Sequence, residues 1–299
     1  MRVTNGMIRN TTLNGLYNNM NALNKTYAQM ATGKKIQTVS DDPIIAGRAL
    51  KLTTTVLETS QYQSNVEEAK SWMEVTEAAL NNMTSILTTI RTKCVQGSNG
   101  DLGLEERENI KTDIEQLWKQ LQDEANVTYA DRYVFSGYKT NQPLMKDGEV
   151  NTEVDGKING HEINYEIGVN STITVNTEGM DKLMNEMKAC FEGIFKAVDD
   201  DTKTTEDLHN MFTEKLDEID NIMKQVSEKN SDLGSRMSRI NYTADRLVNQ
   251  KLTFSNLLSE TEDIDIEEVY TDFNVQYATY QSALQATSKI ITNTLADYL

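Results

Sequence analysis

The chain has very few of the residues that break helices or build catalytic centres. Among its 299 residues only two are proline, Pro43 and Pro143, so long stretches run without the strongest helix breaker. Only two histidines occur, His161 and His209. Neither has a partner at metal-ligand spacing, and no HExxH or paired CxxC is present. Two cysteines, Cys94 and Cys190, do not make a disulfide framework. Both fall on apolar seams, which reads as buried free thiols. Aromatic residues make up 7% and apolar residues 38% of the chain, low for a thick globular core. No stretch approaches the ~18 apolar residues of a membrane span. The opening MRVTNGMIRNTTLNG lacks the apolar core of a secretory signal. The expectation is a cytoplasmic chain, or one exported by a route without a cleaved signal.

Positive charge is also scarce: 29 Lys and Arg stand against 46 Asp and Glu, a formal net charge of −17. That argues against nucleic acid as a partner and against an anionic membrane surface. It suits a soluble protein whose copies repel one another before assembly. The charge is uneven. Residues 1–60 hold Arg2, Arg9, Lys25, Lys34, Lys35, Arg48 and Lys51 against Asp41, Asp42 and Glu58. Residues 252–299 hold Glu260, Glu262, Asp263, Asp265, Glu267, Glu268, Asp272 and Asp297 against Lys289 alone. Either these are two solvated faces, or the two ends attract each other, within a subunit or between neighbours.

What is abundant is helical periodicity. Leu13, Leu16, Met20, Leu23, Tyr27 and Met30 near one end, and Ile266, Tyr270, Phe273, Tyr277, Tyr280 and Leu284 near the other, alternate steps of three and four. That spacing keeps one stripe facing a partner helix. The first helix is expected from about Thr4 to Gly33. Asp41 or Asp42 can cap the next helix, with Pro43 in its first turn. A long second helix carries Tyr62, Val66, Ala69, Met73, Thr76, Leu80, Met83, Leu87, Ile90 and Cys94. It stops at GSNGDLG (97–103). A third, from about Leu104 to Thr128, shows Ile110, Ile114, Leu117 and Leu121, with Glu105, Glu106 and Glu108 in its first turns.

The pattern then changes to β-rich pieces, RYVFSG, EINYEIG and STITVN, with turn pairs Asp147-Gly148, Asp155-Gly156 and Asn159-Gly160. Helical spacing resumes at Leu183, Met187, Cys190 and Ile194. After DDDTKTTED (199–207) the longest seam runs through Phe212, Leu216, Ile219, Met223, Val226, Asn230, Leu233, Met237, Ile240, Ala244, Leu247, Lys251, Phe254 and Leu258. Its polar members, Asn230 and Lys251, either fix register or mark a solvent-exposed break. The expected fold is mainly α: an elongated antiparallel helical bundle or coiled coil with paired terminal helices and a small β-rich insertion. The expected domains are 1–46 with 258–299 for terminal-helix assembly, 47–138 with 179–257 as a helical rod, and 139–178 as the β-rich insertion.

No constellation for catalysis emerges. GSNGDLG lacks the strand–turn–helix setting and the Lys-Ser/Thr of a phosphate loop. DDDTKTTED has Thr204 where a calcium loop needs glycine. No catalytic residue, cofactor or metal is expected, and the chain reads as a non-enzyme.

Several segments do resemble a known family. QMATGKKIQTVSDDPIIAGRAL (29–50) is similar to the N-terminal signature of the bacterial flagellin family. LGSRMSRINYTADRL (233–247), LLSETEDIDIEEVYTDF (257–273) and ALQATSKIITNTLADYL (283–299) resemble its C-terminal signature. Within the family, SDDP with Pro43 where filament subunits commonly have alanine, RYVFSGYKTNQPL (132–144) and the LADYL ending resemble subunits that join hook to filament. The resemblance implies a structural subunit that leaves the cell unfolded through the flagellum-specific type III export channel. Such a subunit self-associates in a tubular assembly at the hook–filament junction, outside the cell. A neighbouring hook-associated protein, flagellin and a flagellar export chaperone are the implied partners. The implied assembly interface is Leu13, Leu16, Met20, Leu23, Tyr27, Met30, Tyr270, Phe273, Tyr277, Tyr280, Leu284 and Ile291. The family motif falls on Ser40, Asp41, Asp42, Pro43, Glu262 and Asp263. In many flagellins the segment matching TTIRTKCVQG (88–97) contributes to innate immune-receptor recognition; Thr89 and Lys93 stand here in place of an arginine and a leucine, a departure from that pattern. The alternatives are a filament flagellin and a soluble coiled-coil binding module.

Overall fold

The computed structural model describes residues 5–99, 103–151, 162–200 and 204–292. Its helices are α1 (Asn5–Thr32), α2 (Pro43–Gly97), α3 (Leu104–Ala125), α4 (Met180–Val198), α5 (Thr205–Glu262) and α6 (Ile266–Thr292). Between α3 and α4 lie β1 (Thr128–Tyr129), β2 (Arg132–Tyr133), β3 (Met145–Lys146), β4 (Glu149–Val150), β5 (Asn164–Gly168) and β6 (Ser171–Thr174). The strands pair in sequence as three antiparallel hairpins. This is the mainly α architecture that the periodicity predicts, with its strands grouped in one insertion. The chain forms two compact units: Met1–Glu58 with Asn249–Leu299, and Thr59–Val248.

The larger unit holds the core. On α2, Val66, Ala69, Met73, Thr76, Leu80, Met83, Leu87, Ile90 and Cys94 are all buried, and Tyr62 packs against them. Thr76, the polar member, donates its hydroxyl to the Trp72 carbonyl at 2.8 Å, so its burial leaves no donor unpaired. On α5, Phe212, Ile219, Val226, Leu233, Ile240 and Leu247 are buried at every seventh position. The two helices face each other antiparallel. Asn81 accepts from Asn230 at 2.8 Å, and Arg91 makes a forked ion pair with Asp220 at 2.6 and 3.1 Å. Asn230 is therefore a cross-helix hydrogen-bonding residue, a pairing that disfavours a shifted register. At the end of α2, Gly97 meets the Phe212 ring so closely that a Cβ there would lie 2.9 Å from it. Helix α4 adds Leu183, Met187, Cys190 and Ile194 to this core, and Phe191 packs on Trp118 of α3 at 5.1 Å between ring centres. Both thiols are buried, and loss of solvation pushes each up to about 12.

The insertion is attached by side chains. Asn126, just past α3, brackets β3: its amide donates to the Met145 carbonyl and its oxygen accepts from the Met145 N–H, each at 2.9 Å. The Asp147-Gly148 pair has φ of 52° and 82° and turns β3 into β4, as its sequence predicts. The β5–β6 hairpin is held at both outer edges. Asn65 of α2 donates to the Glu166 carbonyl at 2.8 Å, while Arg239 and Arg236 of α5 donate to the Thr172 and Thr174 carbonyls at 3.2 and 3.3 Å.

Two expectations meet a different outcome. Of RYVFSG only Arg132–Tyr133 is strand, because Ala130 and Asp131 (φ 48° and 61°) form a tight turn that starts β2 there. Val134 and Phe135 are core residues in the following loop. Helix α3 ends at Ala125 rather than near Thr128, where Asn126 turns to bind β3. Helix α5 continues through SETE to Glu262 and α6 begins at Ile266, so of the acidic stretch 259–270 only residues 263–265 lie outside a helix. The turns Asp155-Gly156 and Asn159-Gly160, and His161, lie outside the described residues. His209 is exposed, and its ring Nδ1 hydrogen-bonds with the Ser98 carbonyl. In GSNGDLG the turn is supported from α3: Arg107, fully buried, donates to the Asn99 carbonyl at 3.1 Å. Burial lowers the affinity of that guanidinium for its proton.

Candidate assembly interface

Helix α1 ends because Gly33 adopts a left-handed φ of 71° and returns its N–H to the Gln29 carbonyl at 2.8 Å. The chain leaving that turn runs beside the break between α5 and α6. Lys34 and Asp263 form an antiparallel bridge. The Lys35 N–H donates to the Glu262 carbonyl at 2.6 Å, and the Ile264 N–H donates to the Gly33 carbonyl at 3.0 Å. Side chains reinforce this clasp. Lys34 Nζ lies 2.8 Å from Asp263 Oδ1 and 3.4 Å from a Glu262 carboxylate oxygen. Ser259 donates its hydroxyl to Asp263 Oδ2 at 2.5 Å. The hydrogen bond to Asp263 raises the Lys34 pKa, and the same bond with the Ser259 hydroxyl holds Asp263 below the usual carboxylate range. Asp265 then caps α6 by accepting from the Glu267 and Glu268 N–H groups at 3.0 and 3.4 Å.

The motif residues sit around this clasp. Asp41 closes the preceding turn, accepting from the Gln37 and Thr38 N–H groups at 3.1 and 2.9 Å, which lowers its pKa, the Thr38 bond most. Asp42 is the cap of α2, accepting from Ile44 and Ile45 N–H at 2.9 and 3.0 Å, and Pro43 occupies the first helical position. Ser40 is exposed beside them.

From the clasp, α1 and α6 run antiparallel. Thr26 donates to Gln276 Oε1 at 2.9 Å, and the Tyr27 and Phe273 rings lie 6.5 Å apart. The half-buried and buried positions show which faces meet. On α1 they include Thr12, Leu16, Asn19, Leu23, Thr26 and Met30; on α6 they include Val269, Phe273, Gln276, Tyr280, Ala283 and Thr287. Both series alternate four and three. Leu16, Leu23, Met30, Phe273 and Tyr280 thus belong to the contact, but the positions between them are mostly small or polar. The large side chains expected there lie one residue further round. Met20 and Tyr27, and Tyr270, Tyr277 and Leu284, are exposed, Tyr27 by 63% and Tyr270 by 56%. Leu13 is half-buried, and the side chain of Ile291 lies outside the described residues.

Tyr270, Tyr277 and Leu284 repeat every seven residues and so share one face of α6. Tyr277 stacks on Phe273 at 6.2 Å, which joins this face to Tyr27. The described part of the smaller unit contains only three buried side chains, Thr26, Ala49 and Thr287. It presents an ordered apolar stripe without a core of its own. The sequence marks Gly33 as the end of the first helix and counts Lys34 and Lys35 among the charges of the basic end, but it does not mark Thr26 or Gln276. The opposed charge of the two ends was the available signal for Lys34; nothing apolar marks Thr26 or Gln276. Among the described residues no group of His, Cys, Asp or Glu is arranged to hold a metal ion, and no helix is long and apolar enough to cross a membrane.

Comparison with known proteins bears on both ends of the chain. The profile of the bacterial flagellin N-terminal helical region matches residues 3–140, and that of the C-terminal helical region matches residues 216–299. The chain is similar to flagellar hook-associated protein 3 of Salmonella typhimurium, 28% identical over 98% of this chain and 96% of that one. It is 35% identical to flagellar hook-associated protein 3 of Escherichia coli over 47% of this chain and 44% of that one. The crystal structure of flagellar hook associated protein-3 from Legionella pneumophila shares the fold. It has a TM-score of 0.60 and 13% identity, and the match covers 70% of this chain and 97% of that chain.

Proposed function

The chain belongs to the bacterial flagellin family, and on that footing we propose that it is the structural subunit joining the flagellar hook to the filament. It is a building block, not an enzyme. The observation that carries this reading is the smaller unit: a clasped helix pair whose largest apolar side chains lie on the outside. Isolated in water, such a stripe leaves apolar surface hydrated; in a tube of neighbouring copies it is buried. Met20, Tyr27, Tyr270, Tyr277 and Leu284 then form contacts between subunits, while Leu16, Leu23, Met30, Phe273 and Tyr280 hold the pair together within one.

The proposed domain plan keeps 1–46 with 258–299 as the assembly segment, which lies inside the smaller compact unit. Residues 47–138 with 179–257 serve as the rod, and 139–178 as a peripheral insertion. The subunit is exported unfolded, with an export chaperone as its partner in the cell. It folds at the growing structure against a neighbouring hook-associated protein on one side and flagellin on the other.

The test is localisation. An epitope-tagged chain is expressed in its own host, and isolated flagella are labelled for electron microscopy. A short band at the hook end is expected. Label along the full length of the filaments would replace this reading by filament flagellin, and label on no flagellum would remove it.

A further inference from the structure

Helix α6 presents a third face, distinct from the seam and from the apolar stripe. Glu268, Asp272 and Val275 are spaced four and three apart, one residue before the seam positions Val269, Phe273 and Gln276. All three are exposed, Val275 by 60%. The first turns of α2 carry the converse. Ile44, Arg48 and Lys51 have the same spacing, one residue before the better-covered Ile45, Ala49 and Leu52. These too are exposed, Ile44 by 83%.

Each face therefore bears two like charges and one branched aliphatic side chain. Among the described residues none of the four charged groups makes an ion pair, although both faces lie in the same compact unit. The clasp uses Lys34 against Glu262 and Asp263, and Lys35 donates to the Glu260 carbonyl. Among the described residues, the ion pairs between the oppositely charged ends are those of Lys34. Like charges three or four apart weaken an isolated helix. The helix dipole favours Glu267 and Glu268 in the first turn of α6, but its reach ends before Asp272.

We propose that these are the two halves of a contact between successive copies of this chain: the Arg48–Lys51 face of one subunit seats against the Glu268–Asp272 face of the next. The inference rests on the assembly reading above and names the partner of that unit. A second copy is the occupant the charges fit, because the chain carries both faces and leaves both unsatisfied. The contact joins unlike patches, so each added copy exposes a fresh pair of faces and the association propagates around a tube. Opposed charge steers the approach and fixes the register, while Ile44 and Val275 supply apolar contact.

Charge reversal tests this in the full chain, expressed in its host in place of the unaltered protein. Three variants are compared: R48E with K51E, E268K with D272K, and all four together. Chain retained on isolated flagella is measured against chain released to the medium. Each single-face reversal is expected to lower retention about tenfold, because like charges then meet. The four-fold variant, whose faces are again complementary, is expected to return to the unaltered level. Rescue by adding further substitutions also excludes simple misfolding. Single-face variants retained like the unaltered chain, or a four-fold variant no better than either, would overturn the contact while leaving the junction reading intact. An unaltered chain absent from flagella would instead overturn the junction reading, and this contact with it.

Discussion

Asp263 carries the side-chain half of the clasp, accepting from both Lys34 and Ser259. Both ends of its ion pair are partly exposed, so solvent screens it, and Asp263→Asn should cost the smaller unit no more than about 1 kcal/mol. The pH dependence is more diagnostic. The folded-state pKa of Asp263 is lowered from 3.8, so its contribution is present above that value and is lost as pH falls through the depressed one. Lys34 is raised from 10.5, so its share is complete below 10.5 and lost only as pH rises through the raised value. The clasp should hold across neutral pH. Followed by NMR, the amide signals of Lys35 and Ile264 should titrate together below pH 3.8, and Asp263→Asn should abolish that step. Signals that shift together near neutral pH would contradict this account.

Helix α2 shows how one element can carry two unlike faces. Leu87 is fully buried in the core, whereas Leu57 is 66% exposed. Leu87→Ala should cost about 2–5 kcal/mol through lost burial and a residual cavity. Leu57→Ala should stay within about 0.5 kcal/mol. Urea unfolding of the full chain measures both, and similar losses would mean that the core does not lie where the buried seam puts it. The α2 and α5 seams were legible in the sequence because the core is built on a strict seven-residue repeat of apolar side chains. The terminal pair was legible only in part. Its contact also uses Asn19, Thr26, Gln276 and Thr287, and a search for apolar spacing passes over them for Met20, Tyr27, Tyr270 and Tyr277, which face outward. The Asp147-Gly148 turn was readable from its residue types, whereas Ala130-Asp131 takes the same conformation without a glycine. The buried Arg107 carried no signal, since a charge in a helix's first turns reads as solvated.

Taken over the whole chain, burial is lopsided. The larger unit holds nearly the whole core, while the described part of the smaller unit buries only Thr26, Ala49 and Thr287. Helices that bury so little are marginal in water. In a dilute subunit, amide hydrogens of residues 5–32 should exchange far faster than those of residues 66–94. Hydrogen exchange read by mass spectrometry checks this, and strong protection of α1 would show that the pair is stable before assembly. Lys34 and Asp263 are 229 positions apart in sequence. Closing a loop of that length in an unfolded chain carries a large entropic penalty, repaid only once the intervening helices have drawn the ends together. The clasp is thus expected to close late in folding. A chain emerging at a growing structure would complete its core while its two ends are still free to choose between each other and a neighbour.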